Sequence, residues 1–102
     1  MAYILHSEVY SDLEEIDSYI GQFSPAAADR LLDELFEAFD MIARFPHHGH
    51  SRPDVAPGKL RFKVVRGYLI AYLPDRKPPW ITAVIDGRQH PRTIAAVLRE
   101  RE

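Results

Sequence analysis

The chain has 102 residues, of which 46% are hydrophobic and 27% charged, and it contains no cysteine. This length predicts a single domain, residues 1–102, and the composition is typical of a folded globular protein rather than a disordered one. Without cysteine there can be no disulfide framework or thiolate metal site. The apolar start is too short for a signal peptide, and no segment approaches membrane-spanning length. We therefore expect a cytoplasmic protein without membrane contacts.

The net charge of −2 hides an uneven distribution along the chain. Residues 1–45 carry ten Asp and Glu against two Lys and Arg, whereas residues 46–102 carry eleven Lys and Arg against five Asp and Glu. A basic half of this kind can contact nucleic acid or an acidic protein. The alternative is that the two halves form solvated faces of opposite charge that bind no partner.

Two amphipathic helices are predicted after a short apolar segment at residues 2–5, which we expect to be a strand. Ser7 is the expected cap of the first helix, and Ser24-Pro25 begins the second, which Pro46 ends. About three residues join them, so they form an antiparallel hairpin. The first apolar stripe is Val9, Leu13, Ile16, Ile20 and Phe23, and the second is Ala28, Leu32, Leu35, Phe39 and Ile42, widened by Leu31 and Phe36. The acidic residues, including Asp12, are expected on the solvated faces.

Residues 46–59 contain three prolines and two glycines, a composition that predicts a loop. His47, His48 and His50 raise the alternative of a metal site. Adjacent loop histidines rarely converge on one ion, and no Asp, Glu or Cys stands at a recurrent ligand spacing beside them. A surface loop without metal is therefore expected, and no cofactor is predicted.

Three strands are predicted next, at residues 60–65, 68–73 and 80–85, and the first two are joined by the tight turn Arg66-Gly67. This turn places Val65 opposite Tyr68, and opposed residues share a face. One face then carries Arg61, Lys63, Val65, Tyr68, Ile70 and Tyr72; the other carries Leu60, Phe62, Val64, Leu69, Ala71 and Leu73. The wholly apolar second face is expected to pack under the helical hairpin. The first face would still expose two tyrosines and an isoleucine, so a second polypeptide is expected to cover it.

The segment 92–101 has Ile94, Val97 and Leu98 at helical spacing, which predicts a short helix or a segment that becomes helical on docking. The whole order is β-α-α-β-β-β with this C-terminal element. We therefore predict a two-layer α+β fold, in which a helical hairpin packs on a small, mainly antiparallel sheet.

Several segments in this order carry a resemblance to a known family. They are "YSDLEEIDSYI", "SPAAADRLLDELFEAFDMIARFP", "GHSRP", "LRFKVV", "GYLIAY" and "VIDGRQHP". Together they resemble the ParE/RelE superfamily of type II toxins over nearly the whole chain. The resemblance implies a bacterial growth-arresting toxin that a cognate antitoxin neutralises. ParE-like members act on DNA gyrase, and RelE-like members cut mRNA on the ribosome.

Cutting RNA through its 2′-hydroxyl requires a base, an acid and cations for the phosphate charge. By the resemblance, the strand arginine of RelE-like nucleases falls on Leu69, and their C-terminal tyrosine falls on Ala95 or Pro91. In those nucleases, the face of the strand that carries the arginine points outward. The corresponding face here carries Leu69, and the residue pattern above instead places that face under the helical hairpin. For an RNA-cleaving alternative, the sequence leaves His90 as catalyst, with Arg88, Arg61 and Lys63 as phosphate contacts.

The residues at the nuclease positions therefore favour a toxin that acts by binding and is not an enzyme. The resemblance then implies a ParE-like toxin of a plasmid stabilisation system that inhibits DNA gyrase by protein contacts. A ribosome-dependent endoribonuclease and an inactive, partner-binding relic are the alternatives. The expected gyrase-facing residues are Arg61, Lys63, Arg88 and Arg92, and the expected antitoxin-binding residues are Tyr68, Leu69, Ile70, Ala71 and Tyr72. No sequence-specific contact with nucleic acid is expected.

Overall fold

The computed structural model describes residues 2–56 and 58–101. Pro57 of the predicted loop, and Met1 and Glu102 at the two ends of the predicted domain, lie outside the described residues. The described elements are, in order, β1 (Ile4–Leu5), α1 (Ser7–Gly21), α2 (Pro25–Arg44), β2 (Arg61–Val65), β3 (Tyr68–Leu73), β4 (Trp80–Asp86) and α3 (Pro91–Glu100). The predicted order, the α+β class and the C-terminal helix are confirmed.

The helix starts follow from local hydrogen bonding. Ser24 caps α2 as predicted, because its Oγ accepts a hydrogen bond from the backbone N–H of Ala27 at 3.1 Å. The predicted cap of α1 is wrong by one residue: His6 precedes the helix, and its Nδ1 accepts from the N–H of Glu8 at 3.0 Å. The first helix therefore includes Ser7.

The ends of the predicted stripes are also corrected. Phe23 lies beyond the end of α1 and is 74% exposed, and Phe36 of α2 is 41% exposed. The middle of each stripe is buried as expected, with Val9 and Leu35 at 0%. The helical hairpin thus contacts the sheet through a narrower face than the periodicity suggested.

The four described strands form one sheet in the order β1-β4-β3-β2. β1 runs parallel to β4, and the other neighbours are antiparallel. The predicted hairpin register is confirmed, with Val65 opposite Tyr68 and Arg61 opposite Tyr72. Arg66 and Gly67 have φ of 48° and 86°, as the two central residues of a type I′ turn require.

The predicted assignment of the sheet faces is wrong. Tyr68, Ile70 and Tyr72 pack in the core that α1 and α2 form, so the face that also carries Arg61 and Lys63 lies under the helical hairpin. The polar character of that face comes only from β2, which is an edge strand. At an edge, a long basic side chain can lay its aliphatic part along apolar neighbours and still reach water with its charged end. The polar residues of the edge strand β2 therefore gave the wrong prediction of which sheet face the helical hairpin covers.

The opposite face of the sheet is covered by the chain itself. α3 and the loop before β2 close a second core there, which consists of Val55, Phe62, Leu69, Ala71, Ala83, Ile85, Ile94 and Leu98. Ile94 and Leu98 are 1% and 4% exposed. The expectation that a second polypeptide must cover one face of the sheet is therefore wrong, because both faces of β3 are buried within this chain.

Candidate functional site

The predicted gyrase-facing residues fall into two groups. Arg61 and Lys63 are partly buried on β2, and the guanidinium of Arg61 donates to the carbonyl oxygen of Gly49 at 3.3 Å. Arg88 and Arg92 lie in and just after the connection from β4 to α3, and both are exposed. The first group is positioned by the edge strand and the second by the turn that leads into the C-terminal helix.

The sheet register keeps the two groups apart. Arg61 is level with Tyr72 on β3, whereas Asp86, which precedes Arg88, is level with Tyr68. Four residues of extended strand separate these levels, or about 13 Å. A single target-facing patch would therefore have to span the length of the sheet.

Arg88 is further restrained by an ion pair with Asp86. Its Nε and Nη2 lie 3.0 and 2.9 Å from the two carboxylate oxygens of Asp86, whose Oδ1 also accepts from the backbone N–H of Arg88. These hydrogen bonds hold the pKa of Asp86 below its ordinary value and raise the pKa of Arg88. Arg88 is thus a paired cation with an exposed side chain.

His90 has a structural role that its sequence position did not reveal. It precedes α3, and its Nδ1 accepts a hydrogen bond from the N–H of Arg92 at 3.0 Å, so it caps the helix. Of the other residues named for the RNA-cleaving alternative, Arg88 is bonded to Asp86 and Arg61 lies toward the far end of the sheet. Leu69, at the position of the nuclease arginine, is 4% exposed in the second core.

The predicted antitoxin-binding residues do not form an exposed surface. Along β3 the exposures are 8% for Tyr68, 4% for Leu69, 0% for Ile70, and 1% for both Ala71 and Tyr72. β3 is a central strand, so its backbone is paired with β2 on one side and β4 on the other. In the chain alone these side chains are therefore covered, and their contact with an antitoxin stays a prediction.

A cleft of about 210 Å³ lies between the C-terminal part of α2 and the outer edge of β2. We refer to it as the β2-edge cleft. Three of its lining side chains are large, apolar and exposed: Met41 at 42%, Phe45 at 45% and Val64 at 58%. The remaining lining residues are Ile42, His48, Gly49, His50, Phe62, Lys63 and Tyr72.

Gly49 and Tyr72 form one end of this cleft. The backbone N–H of Gly49 donates to the hydroxyl of Tyr72 at 2.9 Å, and a Cβ at position 49 would lie only 2.2 Å from that oxygen. Glycine is therefore required for the close approach of the loop. Burial raises the pKa of the Tyr72 hydroxyl, while the Gly49 hydrogen bond and the charge of Arg61 act in the opposite direction.

The opposite edge of the sheet is closed by a buried ion pair that sequence analysis missed. Beyond the short β1, the carboxylate of Asp12 accepts from the N–H of Val84 at 2.9 Å. Arg101 donates to both oxygens of that carboxylate at 2.6 and 2.8 Å, and to the carbonyl oxygen of Thr82 at 3.1 Å. The two charged side chains are only 11% and 12% exposed. The prediction that Asp12 lies on a solvated face is therefore wrong.

A faint signal for this pair was present in the sequence. Asp12 follows Val9 by three residues and precedes Ile16 by four, so it borders the buried stripe of α1. Its partner, 89 residues away, has no local pattern that could reveal it.

The loop histidines are spread over different contacts. His48 stacks on Phe45 with ring centroids 5.0 Å apart, and His50 pairs with Phe62 through its backbone. His47 lies 3.9 Å from the carboxylate of Asp75. Among residues 2–56 and 58–101, no three His, Cys, Asp or Glu side chains are grouped so as to hold a metal ion. Among these same residues, no helix has the length and hydropathy needed to cross a membrane.

Comparison with known proteins adds family evidence to this geometry. A family model described as ParE toxin of type II toxin-antitoxin system, parDE, matches residues 3–91. Toxin RelE2 of Caulobacter vibrioides (strain ATCC 19089 / CIP 103742 / CB 15) is 43% identical over 63 residues, which cover 61% of this chain and 67% of that protein. The family match includes the helical hairpin and all four described strands, and it ends where α3 begins. The chain therefore belongs to the ParE toxin family of type II toxin-antitoxin systems.

Proposed function

We propose that this toxin arrests bacterial growth in the cytoplasm by binding DNA gyrase through protein contacts, without catalysis, and that a cognate antitoxin neutralises it. Plasmid stabilisation would be a consequence of that pairing. Contacts with the target would come from the exposed basic side chains Arg88 and Arg92 at one end of the sheet, or from Arg61 and Lys63 toward the other.

The observation that carries this proposal is the environment of Leu69. RNA cleavage needs cations placed to stabilise the phosphate charge that develops in the transition state. At the corresponding position this chain has a leucine that is 4% exposed and packed beneath α3. The imidazole of His90 is engaged in capping α3, and the guanidinium of Arg88 is engaged with Asp86. Binding therefore accounts for the arrangement better than acid-base chemistry does.

Two assays on the purified chain test the proposal. Plasmid supercoiling by gyrase should be inhibited, and mRNA on translating ribosomes should remain uncut. Codon-positioned cuts without any effect on gyrase would overturn the proposal. Growth that is unimpaired when the folded chain is expressed without its antitoxin would instead indicate a relic that only binds its partner.

The structure also allows the gyrase-facing residues to be mapped. The paired variants Arg61→Gln with Lys63→Gln and Arg88→Gln with Arg92→Gln each remove two positive charges, but at different levels of the sheet. Loss of gyrase inhibition in only one of the two would identify the group that faces the target. Equal inhibition by both variants and the unmodified chain would exclude all four residues.

Ribosome-dependent RNA cleavage is the second candidate, and the observation that favours it is the name of the relative, Toxin RelE2. This candidate predicts that His90→Ala abolishes cleavage. Because His90 also caps α3 through Nδ1, His90→Asn serves as the control: Asn is a good capping residue but a poor proton-transfer group. If both variants fail to cleave RNA, and α3 is still folded in His90→Asn, the result would support a catalytic role for His90.

A further inference from the structure

A second cleft lies beside the β4 edge of the sheet, between α1 and the end of α3. Its volume is about 380 Å³, and the last residues of β4 form part of its lining. Small-molecule sites in proteins have volumes of about 300–1,000 Å³, so this cleft has room for a small ligand. We refer to it as the α1–α3 cleft, and the lining residues that matter here are Glu8, Asp12, Glu15, Tyr68, Asp86 and Arg101.

The α1–α3 cleft has an excess of negative charge. Four carboxylates line it, against the single guanidinium of Arg101. Asp12 is bonded to Arg101, and Asp86 is bonded to an arginine outside the cleft. The other two carboxylates, of Glu8 and Glu15, form no ion pair with any of the residues described. A group that enters the cleft therefore meets two uncompensated negative charges.

These two charges are well separated along α1. Glu8 and Glu15 are seven residues apart, or about two helical turns, so their side chains lie on the same face about 10 Å apart along the axis. Hydrogen bonds to Asp12 raise the pKa of Arg101, and the charges of Glu8 and Glu15 raise it further, as expected if they lie on either side of it. Carboxylates spaced in this way suit an elongated ligand with two cationic ends better than one metal ion.

One end of the cleft also contains a hydroxyl without a partner. Tyr68 is 8% exposed, and its hydroxyl forms no hydrogen bond with the residues described. Every fully buried polar side-chain atom in that part of the chain has a partner, so this hydroxyl is not sealed in the core, and it opens into the cleft that Tyr68 lines. Burial raises the pKa of Tyr68, which keeps the hydroxyl neutral. Its oxygen can accept a hydrogen bond from an ammonium group.

An aromatic ring lies at the same end. Tyr19 follows Glu15 by one helical turn, lines the cleft and is 56% exposed. An ammonium group is attracted to the face of such a ring. A cation beside Glu15 would therefore meet a carboxylate, a hydroxyl oxygen and an aromatic ring.

We propose that the α1–α3 cleft binds a linear aliphatic polyamine. One terminal ammonium lies beside Glu15 and donates to the hydroxyl of Tyr68, the other lies beside Glu8, and the methylene chain contacts Val97 of α3. This goes beyond the proposed function and does not depend on growth arrest, since the cleft belongs to the folded chain whatever its target.

A small ligand fits the cleft better than a basic segment of a partner polypeptide does. An extended segment would need free backbone groups on the strand edge beside it. At this edge the N–H of Val84 is already bonded to Asp12, and the C=O of Thr82 is already bonded to Arg101. Side chains therefore close the edge to backbone pairing and leave the carboxylates beside it for a separate cation.

Calorimetric titration of the folded chain with spermidine at low ionic strength tests the proposal. Putrescine, with two ammonium groups closer together, and octylamine, with one ammonium on a long chain, are the comparison ligands. We expect spermidine to bind most tightly, because it can reach both glutamates, and added salt to weaken its binding. A short lysine-rich peptide tests the polypeptide alternative.

Charge variants locate the site. Glu8→Gln with Glu15→Gln should weaken spermidine binding by about tenfold. Asp17→Asn with Asp33→Asn is the matched control, because it removes the same charge from exposed positions outside the cleft and should leave binding unchanged. Glu15→Gln alone replaces the double variant if thermal unfolding shows that the double variant is not folded.

The hydroxyl is tested separately by Tyr68→Phe. This variant should weaken spermidine binding by about threefold or more, while the stability of the free chain should hardly change, because the hydroxyl has no partner to lose. Amide chemical shifts should change on binding at Tyr19 and Asp86 and not at Val64. The proposal is overturned if spermidine does not bind, if octylamine or the peptide binds more tightly, if either cleft variant binds spermidine as well as the unmodified chain does, or if the shift changes lie outside the cleft.

Discussion

The two outer edges of the sheet differ in how they are closed. At the β4 edge, β1 pairs with the first residues of the strand, and the Asp12–Arg101 ion pair then occupies the N–H of Val84 and the C=O of Thr82. At the β2 edge, His50 pairs with Phe62, and Val64 is left 58% exposed. Proteins commonly protect such edges against unwanted pairing. An edge that is left open beside apolar side chains is therefore better suited to contact with a partner than the buried central strand.

The largest expected effect comes from breaking the closed edge. Arg101→Met leaves the carboxylate of Asp12 nearly buried without its cation, which should lower the free energy of unfolding by about 3 kcal/mol. Urea unfolding measures this, with Arg99→Met as the control, because Arg99 is exposed near the end of α3, two residues before Arg101. A double variant, Asp12→Leu with Arg101→Met, should recover part of the loss. Equal, small losses for Arg101→Met and the control would show that the pair does not hold this edge.

The next effect concerns the loop that borders the open edge. Gly49→Ala places a Cβ against the hydroxyl of Tyr72, and the overlap should cost about 2 kcal/mol. Tyr72→Phe alone leaves the N–H of Gly49 without its acceptor and should cost about 1 kcal/mol. Because the nearest overlapping atom is removed, the double variant should lose less than the sum of the two. Gly21→Ala, where a Cβ would meet nothing within 4 Å, is the matched control, and additive losses would contradict this account.

The open edge itself should contribute little to stability. Val64→Thr changes a side chain that is 58% exposed, so the free energy of unfolding should shift by no more than about 0.5 kcal/mol. Thermal unfolding of the isolated chain measures this. A substantially larger loss would mean that Val64 is part of the core, and the contrast between the edges would then be wrong.

The smallest effect is a pH dependence at the end of β4. Hydrogen bonds from Arg88 lower the pKa of Asp86 in the folded chain below its ordinary value of 3.8. The Asp86–Arg88 pair therefore contributes fully to stability when the pH is above the ordinary pKa of Asp86. That contribution is lost as the pH falls through the lower pKa that Asp86 has in the folded chain. Asp86→Asn should show a shallower loss of stability than the unmodified chain between about pH 5 and pH 2. Parallel curves would show that the pair is not linked to folding.

The features that the sequence predicted correctly are formed by residues that are close together in the chain. The type I′ turn at Arg66-Gly67 determined the hairpin register, and the proline-opened helix and its Ser24 cap followed from adjacent residues. The faces of the sheet could not be assigned, since polarity on the edge strand β2 does not report which face α1 and α2 cover. Amphipathic spacing predicted that α3 exists but not where it packs. In that position α3 covers Leu69 and Ala71 of β3, which the sequence had placed under the helical hairpin.

The functional residues show the same limit. Arg61, Lys63, Arg88 and Arg92 could be selected by charge, but only the register showed that they lie at two levels of the sheet. The β2-edge cleft combines the end of α2, a loop glycine and two strands, so no single motif could have indicated it.

Residue-resolved amide hydrogen exchange of the isolated chain tests the contrast between the two edges most directly. The N–H of Val84, bonded to Asp12, should exchange only when the chain unfolds globally, whereas the outward N–H of Val64 should exchange at nearly the rate of an unstructured peptide. Arg101→Met should speed exchange at Val84 and leave Val64 unchanged. Strong protection of Val64, or fast exchange of Val84 in the unmodified chain, would contradict the assignment of one closed and one open edge.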